Sequence, residues 1–275
     1  YKNVTLKANS DTLEYNGFEQ SVEGFTVESI STKLITENQV VLRTDVAAKA
    51  TGTKVGTYNM GLAGTSFTLA DGVSSNFTSA SIRFDVTDGA LTITKRPVTL
   101  KSADLSKEYD GTALVNGATA LETETGWVEG EGATYTFTGS QTVVGSSPNA
   151  FTYALNEGTN PDNYIINKTE GTLTVTSRDA KYEVTVKANS ATATYDGKAH
   201  EAAGVKTDTF VIDGITYTVS GLTTENPSKI DAGKYTNNIT GTPVVTDGNG
   251  NVVTDQFTVN TENGTLVINK AEVTM

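Results

Sequence analysis

One pattern recurs three times along this chain and constrains its fold more than any other feature. The segments that begin at Val4, Val98 and Val184 read VTLKANS, VTLKSAD and VTVKANS, and a tyrosine follows each opening by eleven positions. The tripeptides that these tyrosines begin are Tyr15-Asn16-Gly17, Tyr109-Asp110-Gly111 and Tyr195-Asp196-Gly197. Self-similarity at a fixed period identifies a repeat architecture before any strand is assigned. We therefore expect three copies of one unit of about ninety residues.

The ends of the copies match as well as their openings. They read GALTI from Gly89, GTLTV from Gly171 and GTLVI from Gly264, and a further Val-Thr opening begins at Val273. We predict the domains as repeat 1 (1–96), repeat 2 (97–181) and repeat 3 (182–270), with the start of a fourth repeat at 271–275. The segments between the copies are too short to act as a flexible Gly/Ser linker. We therefore expect the domains to form an elongated rod.

Within each copy, apolar and polar residues alternate. Ile215, Tyr217 and Val219 are separated by Thr or Ser, as expected for a strand with one buried and one wetted face. The 48 threonines, which are β-branched, together with 26 glycines and only 5 prolines, favour strands separated by turns. The sequence thus predicts an all-β protein with little helix, each domain β-sandwich-like or β-grasp-like. The stretch from Asp45 to Ala50 is the one place where we expect a short helix.

Composition excludes several classes of partner and site. The net charge is −12, with 20 basic residues against 32 acidic ones, so a basic face for nucleic acid is not expected. The absence of cysteine excludes disulfides and thiolate metal sites. No apolar run reaches about 18 residues, so we expect no membrane insertion by these residues.

The residues that could support catalysis do not form a recognisable motif. His200 is the single histidine, and no Gly-x-Ser-x-Gly nucleophile motif is present. Paired carboxylates can hydrolyse glycosides, and four glutamates lie near Trp127 in one Gly-rich stretch: Glu122, Glu124, Glu129 and Glu131. Because they occur in one copy only, we expect a solvated acidic loop. We predict no catalytic residue, no cofactor and no metal ligand.

The residues that do recur are turn residues. An Asp beside a Gly can hydrogen-bond the backbone two residues on, and Gly tolerates positive φ. The tyrosine is expected to pack inward with its hydroxyl bonded at the rim. We interpret eight residues as a structural turn of each copy and not as a ligand site: Tyr15, Gly17, Tyr109, Asp110, Gly111, Tyr195, Asp196 and Gly197. Trp127, if exposed, is the candidate ligand contact.

The order of these motifs resembles the MBG and Tyr-Asp-Gly (YDG) repeat family of bacterial cell-surface proteins. The match comprises the Val-Thr opening, the Tyr-Asp-Gly turn eleven residues on, a central Gly-x-Tyr and a closing Asn-Tyr with Gly-Thr-Leu. Repeat 1 departs from it, because Asn16 replaces the Asp and Ile82 or Phe84 stands where the closing aromatic is expected. Such repeats occur in arrays on exported proteins often described as adhesins. The resemblance therefore implies an extracellular location at the bacterial surface and a binding or spacer role.

Two functional hypotheses follow from the sequence. In the first, the chain is a non-catalytic, monomeric stalk or adhesin-type repeat region that spaces or presents a binding function, with host or cell-surface glycans or proteins as partners. The alternative is a carbohydrate-binding accessory region of a surface glycan-degrading enzyme. Exposure of Trp127 distinguishes them, because burial against Tyr135 or Phe137 would remove the residue on which the carbohydrate hypothesis depends.

Overall fold

The regular structure of the chain is β-strand. The computed structural model describes residues 1–78, 81–117 and 120–274, and in these ranges the only helical elements are five short 3-10 turns. The prediction of an all-β protein is confirmed. The prediction of a short helix from Asp45 to Ala50 is wrong, because Lys49–Gly52 form a strand. In this strand Ala50 and Gly52 are buried, and Lys49 and Thr51 are exposed. Six residues are too few for a stable helical segment, so the alternating burial decides the conformation.

The elements of repeat 1 are strands β1 to β10 with 3-10 turns η1 to η3. Their bounds are β1 Lys2–Ala8, β2 Asp11–Glu14, β3 Gln20–Glu23, β4 Phe25–Ile30, η1 Glu37–Gln39, β5 Val40–Leu42, β6 Lys49–Gly52, β7 Gly56–Asn59, η2 Gly64–Ser66, β8 Phe67–Leu69, η3 Ser74–Asn76, β9 Ile82–Thr87 and β10 Ala90–Thr94.

Repeat 2 contains strands β11 to β18 and one 3-10 turn. Their bounds are β11 Arg96–Lys101, β12 Leu105–Glu108, β13 Thr123–Thr125, β14 Ala133–Phe137, β15 Gly145–Pro148, β16 Phe151–Leu155, η4 Pro161–Asn163, β17 Tyr164–Thr169 and β18 Thr172–Thr176.

Repeat 3 contains strands β19 to β29 and one 3-10 turn. Their bounds are β19 Tyr182–Ala188, β20 Ala191–Thr194, β21 His200–Glu201, β22 Val205–Thr207, β23 Thr209–Ile212, β24 Ile215–Thr224, β25 Ser228–Lys229, β26 Gly233–Asn237, β27 Ile239–Thr246, η5 Thr254–Gln256, β28 Phe257–Glu262 and β29 Gly264–Asn269.

The three copies share one strand topology. In each, the opening strand lies between an antiparallel neighbour and a parallel one, in the orders β4-β1-β9, β13-β11-β17 and β22-β19-β28. After a bend, the next strand pairs in parallel with the last strand of the copy, and the orders are β2-β10-β7, β12-β18-β15 and β20-β29-β26. In repeats 1 and 3, two bent strands therefore run side by side and take part in both of these three-stranded sheets.

The chain divides by its internal contacts into two compact units. The first comprises Tyr1–Ser102, Ala118–Thr136 and Phe151–Glu170, and the second comprises Ala103–Gly117, Phe137–Ala150 and Gly171–Met275. The limits of these units do not coincide with the domain borders predicted at 96/97 and 181/182, and those borders stay a prediction.

Each unit contains a two-layer core. In the first, Val4 and Leu6 of β1 are fully buried and pack with Phe67 and Leu69 of β8. In the second, residues of β19 and β28 pack against residues of β24 and β27, and the cluster consists of Tyr109, Val175, Val184, Val186, Tyr217, Val219, Val245, Val253 and Phe257. This packing of sheet on sheet is β-sandwich-like. Two members of the second cluster come from repeat 2, so the core of repeat 3 includes side chains of its neighbour.

The glycines of the closing motif lie where the two bent strands approach most closely. A Cβ on Gly264 would lie 2.1 Å from the carbonyl oxygen of Asn189, and a Cβ on Gly89 would lie 2.2 Å from that of Asn9. Both contacts are to backbone, which cannot move aside without separating the strands. The closing Gly is therefore required by the parallel pairing.

We predict that Gly264→Ala lowers the free energy of unfolding by about 2 kcal/mol or more, because the added methyl separates β20 from β29. Gly248→Ala is the matched control: its Cβ meets only one atom, at 4.0 Å, in an ordinary backbone conformation. This control should change stability by less than about 1 kcal/mol. Urea unfolding of both variants checks the difference, and equal midpoints would contradict the close-approach explanation.

Candidate functional site

The three recurrent tripeptides form one turn, here called the tyrosine turn. In each, the side-chain oxygen of Asn16, Asp110 or Asp196 accepts a hydrogen bond from the backbone N–H two residues on, at 2.8 to 2.9 Å. The glycines that follow have φ of 82°, 79° and 75°. The backbone N–H of each tyrosine donates to the carbonyl of the last residue of the closing strand, at 2.9 to 3.0 Å. The turn therefore holds each tyrosine in the same position relative to its own copy.

In repeat 1 the ring of this turn packs against repeat 2, within the first compact unit. Tyr15 is 5% exposed, and its ring meets Tyr164 edge-on with centroids 5.5 Å apart. Its hydroxyl donates to Oε1 of Glu131, and the hydroxyl of Tyr164 donates to Oε2 at 2.6 Å. One carboxylate thus links two phenols from different copies. We call Tyr15, Glu131 and Tyr164 the first tyrosine junction.

The electrostatics of this junction keep both phenols protonated. Burial, together with the hydrogen bond and the charge of Glu131, raises the pKa of Tyr15 to about 12. The same causes raise the pKa of Tyr164 above its ordinary value. Both hydroxyls therefore remain donors to the carboxylate across the physiological range of pH.

Three of the four glutamates near Trp127 bind side chains of this protein. Besides the two bonds to Glu131, Lys101 forms an ion pair with Glu122 at 2.8 Å, and the Tyr135 hydroxyl donates to Glu124 at 2.6 Å. Glu129 is exposed. Glu122 and Glu124 are exposed as well, as expected for a solvated loop, whereas Glu131 is half-buried beside the phenols of Tyr15 and Tyr164.

Backbone contacts complete the first junction. A Cβ on Gly17 would lie 3.1 Å from Cγ1 of Val128. The buried side chain of Asn163 accepts from the backbone N–H of Val55 at 3.2 Å. Arg96 donates from Nε to the carbonyl of Gly126 at 2.6 Å. The turn and the segment that follows repeat 1 are thus both held by repeat 2.

The tyrosine of repeat 2 is buried in repeat 3, within the second compact unit. Tyr109 has no exposed surface and belongs to the core cluster that contains Tyr217 and Phe257. Its hydroxyl donates to that of Tyr217 at 3.4 Å, a long bond, and burial followed by this contact raises the pKa of Tyr109. A Cβ on Gly111 would lie 2.3 Å from the Tyr217 hydroxyl. We call Tyr109, Tyr217 and Phe257 the second tyrosine junction.

An arginine holds the connecting segment in this junction. Arg178 donates from Nη1 to the carbonyl of Tyr109 at 2.9 Å, and its guanidinium lies 3.9 Å from the ring centroid of Tyr182. Its backbone N–H donates to the buried side chain of Gln256 at 2.8 Å. Arg178 therefore connects the turn, the link and the opening strand of the next copy.

The two junctions share a plan that the sequence did not reveal. The accepting copy presents a 3-10 turn that ends in a buried amide, Asn163 or Gln256, followed directly by an aromatic residue, Tyr164 or Phe257. We expected each tyrosine to pack inward in its own copy, and for Tyr15 and Tyr109 the structure shows contact with the next copy instead. The recurrence of the turn signalled a constrained tyrosine but carried no signal for its partner.

The tyrosine turn of repeat 3 has no such cover. Tyr195 is 43% exposed, and no atom lies within 4 Å of the position of a Cβ on Gly197. The carboxylate of Asp196 bonds to Nε2 of His200 at 2.9 Å, so the single histidine supports the turn.

Trp127 is half-buried at the first junction. Its ring meets Tyr164 edge-on at 4.9 Å between centroids, and its indole N–H donates to the Tyr135 hydroxyl at 3.3 Å. The residue considered as a ligand contact thus packs on two tyrosines and supports the acceptor side of the junction.

Residues 1–78, 81–117 and 120–274 contain no group of three or more His, Asp or Glu placed to hold a metal ion. Across the same ranges, no helix has the length and apolar character needed to cross a membrane.

Comparisons with known proteins give no family. No family model and no curated protein matches the chain. Among solved structures, the I9–I11 tandem of titin gives a TM-score of 0.19 at 12% identity, over 98% of this chain and 100% of that one. The N-terminal four Ig domains of Dscam1 isoform 9.44 give 0.19 at 10% identity, over 98% and 73%. The Bacteroides ovatus protein SGBP-B, in complex with a mixed-linkage heptasaccharide, gives 0.14 at 12% identity, over 96% and 67%. These scores are too low to support an argument about fold or function.

We predict that Gly111→Ala destabilises the protein more than Gly197→Ala. Both changes place a Cβ at positive φ, which costs about 1 kcal/mol. Only at Gly111 does the methyl also collide with Tyr217, which should cost about 1 to 3 kcal/mol more. Thermal unfolding of the two variants measures the difference. Equal melting temperatures would contradict a close contact between Gly111 and Tyr217 of the next copy.

We predict that Asp110→Asn makes the free energy of unfolding depend less on pH in the acid range. Burial alone would raise the pKa of Asp110, but hydrogen bonds from Lys107 and Thr112 lower it from 3.8 to about 2. A depressed pKa stabilises the fold above pH 3.8, and this contribution is lost as pH falls towards 2. Because the carboxylate is half exposed, we expect about 1 kcal/mol after solvent screening.

The measurement for Asp110 is the free energy of unfolding at several values between pH 6 and pH 2. The parent and the variant should converge as pH falls, since the asparagine retains the turn bond as Asn16 does. A constant gap down to pH 2 would contradict the role of the charge.

Proposed function

We propose that this chain is a non-catalytic stalk, or adhesin-type repeat region, of an extracellular bacterial surface protein. In this role its tandem β domains space or present a binding function. The observation that supports it most is the tyrosine junction, which occurs twice and ties each copy to the next by a buried aromatic ring. A spacer needs connections of this kind because flexible links would let the domains reorient freely.

The strength of such a junction can be estimated from the area of the ring. Burying much of a tyrosine against a neighbour contributes on the order of 2 kcal/mol. That free energy favours the closed junction over an open one by roughly thirtyfold. The contacts of Arg178 with the turn carbonyl and with Gln256 add to it. The connection between repeats 2 and 3 should therefore remain closed most of the time.

A role without catalysis is supported by how the protein uses its carboxylates. Glu122, Glu124 and Glu131, which could have served glycoside hydrolysis, bind Lys101 and tyrosines of the same chain. In every copy the Asn or Asp of the tyrosine turn accepts a hydrogen bond from its own backbone.

The proposed location and partners rest on the resemblance to surface repeats. In that setting the chain acts as a monomer, and its partners are host or cell-surface glycans or proteins. The carbohydrate-binding alternative relied on an exposed Trp127, and we do not pursue it, because that indole packs on Tyr164 and donates to Tyr135.

The proposal predicts a fixed geometry across the second junction. Because the chain contains no cysteine, Ser146→Cys and Lys234→Cys introduce two spin labels, one on each side of this junction and both in the second compact unit. Pulsed electron resonance should give a narrow distance distribution. Tyr109→Ala should broaden it, since the ring that locks the junction is removed.

Tyr195→Ala is the control for this measurement, because that ring has no neighbouring copy, and it should leave the distribution narrow. Circular dichroism confirms that each variant retains its strands. A broad distribution in the parent, or one that Tyr109→Ala leaves unchanged, would contradict a spacer with locked junctions.

A further inference from the structure

A cavity of about 330 Å³ lies beside the second tyrosine junction, within the second compact unit. Both copies that meet there line it: Tyr109, Val143 and Ser177 come from repeat 2, and Val252 and Gln256 come from repeat 3. Small-molecule sites occur preferentially at such domain interfaces, and their volumes begin at about 300 Å³. The cavity is therefore large enough for one small ligand, or for one unit of a longer one.

A buried amide that lines this cavity lacks a complete set of partners. Gln256 is 3% exposed, and its Oε1 accepts a hydrogen bond from the backbone N–H of Arg178 at 2.8 Å. No described residue accepts a hydrogen bond from its Nε2, and this atom stays accessible from the cavity that the residue lines. Because a buried donor without an acceptor is costly, the cavity favours a ligand that supplies one.

The equivalent amide of the first junction is satisfied within the protein. Asn163 accepts from the backbone N–H of Val55 at 3.2 Å, and its side chain also hydrogen-bonds to the hydroxyl of Tyr15. At the second junction the hydroxyl of Tyr109 bonds to that of Tyr217 instead, and the Nε2 of Gln256 keeps its donors. This difference distinguishes the second junction as the place for a ligand.

The other lining side chains define the chemistry of that ligand. Val144 and Val252 are exposed and provide apolar surface. Asp255 and Ser177 are exposed too, and no described residue bonds to their side chains. The described lining includes no lysine or arginine, so nothing in it attracts an anion. A fitting ligand is neutral, and it combines an acceptor for the amide, an apolar group for the valines and hydroxyls for the carboxylate.

We propose that this cavity binds one sugar unit that carries an acetamido group, as part of a surface glycan. The carbonyl oxygen of the acetamido group accepts from Nε2 of Gln256, its methyl group packs on Val144 and Val252, and ring hydroxyls donate to Asp255. The inference rests on the proposed function, in which glycans are among the partners, and it assigns them a site. A sugar unit of roughly 15 non-hydrogen atoms should bind with a dissociation constant on the order of 1 mM.

The test titrates the isotope-labelled full chain with N,N′-diacetylchitobiose and follows the side-chain amide signals of Gln256 by two-dimensional NMR. Cellobiose is the matched sugar without acetamido groups, and N-acetylalanine methylamide is an acetamide without a sugar. We expect the diacetylated disaccharide to shift the Gln256 signals saturably, with half-saturation on the order of 1 mM. Each comparison compound should bind about tenfold more weakly or not at all.

Variants locate the site. Val144→Trp places a large side chain at the cavity and should abolish the shift, whereas Val211→Trp, at an exposed valine outside the cavity, should not. Gln256→Glu keeps the oxygen that accepts from Arg178 but removes the donor, and it should weaken binding about tenfold. Because Val144 is exposed, its variant remains informative even if Gln256→Glu disturbs the fold. Thermal unfolding confirms that each variant is folded.

Three results would overturn the proposal. Equal binding of cellobiose would exclude recognition of the acetamido group, and equal binding of N-acetylalanine methylamide would exclude recognition of a sugar. Binding that Val144→Trp leaves unchanged would place the sugar elsewhere on the chain.

The spin-label distance across the second junction separates this proposal from the proposed function. If no probe binds while the parent distribution is narrow, the glycan site is wrong and the stalk stands. If the disaccharide binds at Gln256 while the parent distribution is broad, the site stands and the locked stalk is wrong.

Discussion

The burial of a tyrosine from one copy in the core of the next is the interaction on which the rest of this structure depends. Tyr109 has no exposed surface, and much of its cover comes from residues of repeat 3. A buried phenol needs a partner for its hydroxyl, and the two junctions meet this need differently, through Glu131 in one and Tyr217 in the other. The geometry of the turn recurs in all three copies because it fixes the position of the ring, whereas the partner of the tyrosine hydroxyl differs between the two junctions.

Much of the strand framework could be predicted from the sequence because it is encoded locally. Alternation placed Tyr217 and Val219 on the buried face of β24, and the Asp or Asn beside each turn glycine predicted the bond to the backbone two residues on. The closing glycine was visible as a motif, but its cause, the approach of Asn189 to Gly264 across the parallel pair, required the structure. The Ala-rich stretch from Asp45 to Ala50 led to the wrong prediction of a helix. Burial of alternate residues stabilises a strand at Lys49–Gly52 instead.

The acceptor side of the junctions could not be predicted, because its residues are remote in sequence from the tyrosine turn and differ in identity between the two junctions. Tyr15 and Glu131 are 116 positions apart, and Tyr109 and Tyr217 are 108 apart. Periodicity reports which face of a strand is buried but not which neighbour buries it. Glu131 and Trp127 were therefore considered as a solvated carboxylate and a ligand contact, although both support the first junction. The rod-like arrangement of the three repeats remains a prediction.

The central claim is that the tyrosine turn stabilises the protein through the next copy, and a double-mutant cycle tests it most directly. The free energies of unfolding of the parent, Tyr109→Ala, Tyr217→Ala and the double variant give the coupling between the two residues. We predict a coupling of about 1 kcal/mol or more, while Tyr109→Ala and Tyr195→Ala should be additive within about 0.5 kcal/mol. Additivity of Tyr109→Ala and Tyr217→Ala would contradict the claim, because it would mean that the turn acts within its own copy.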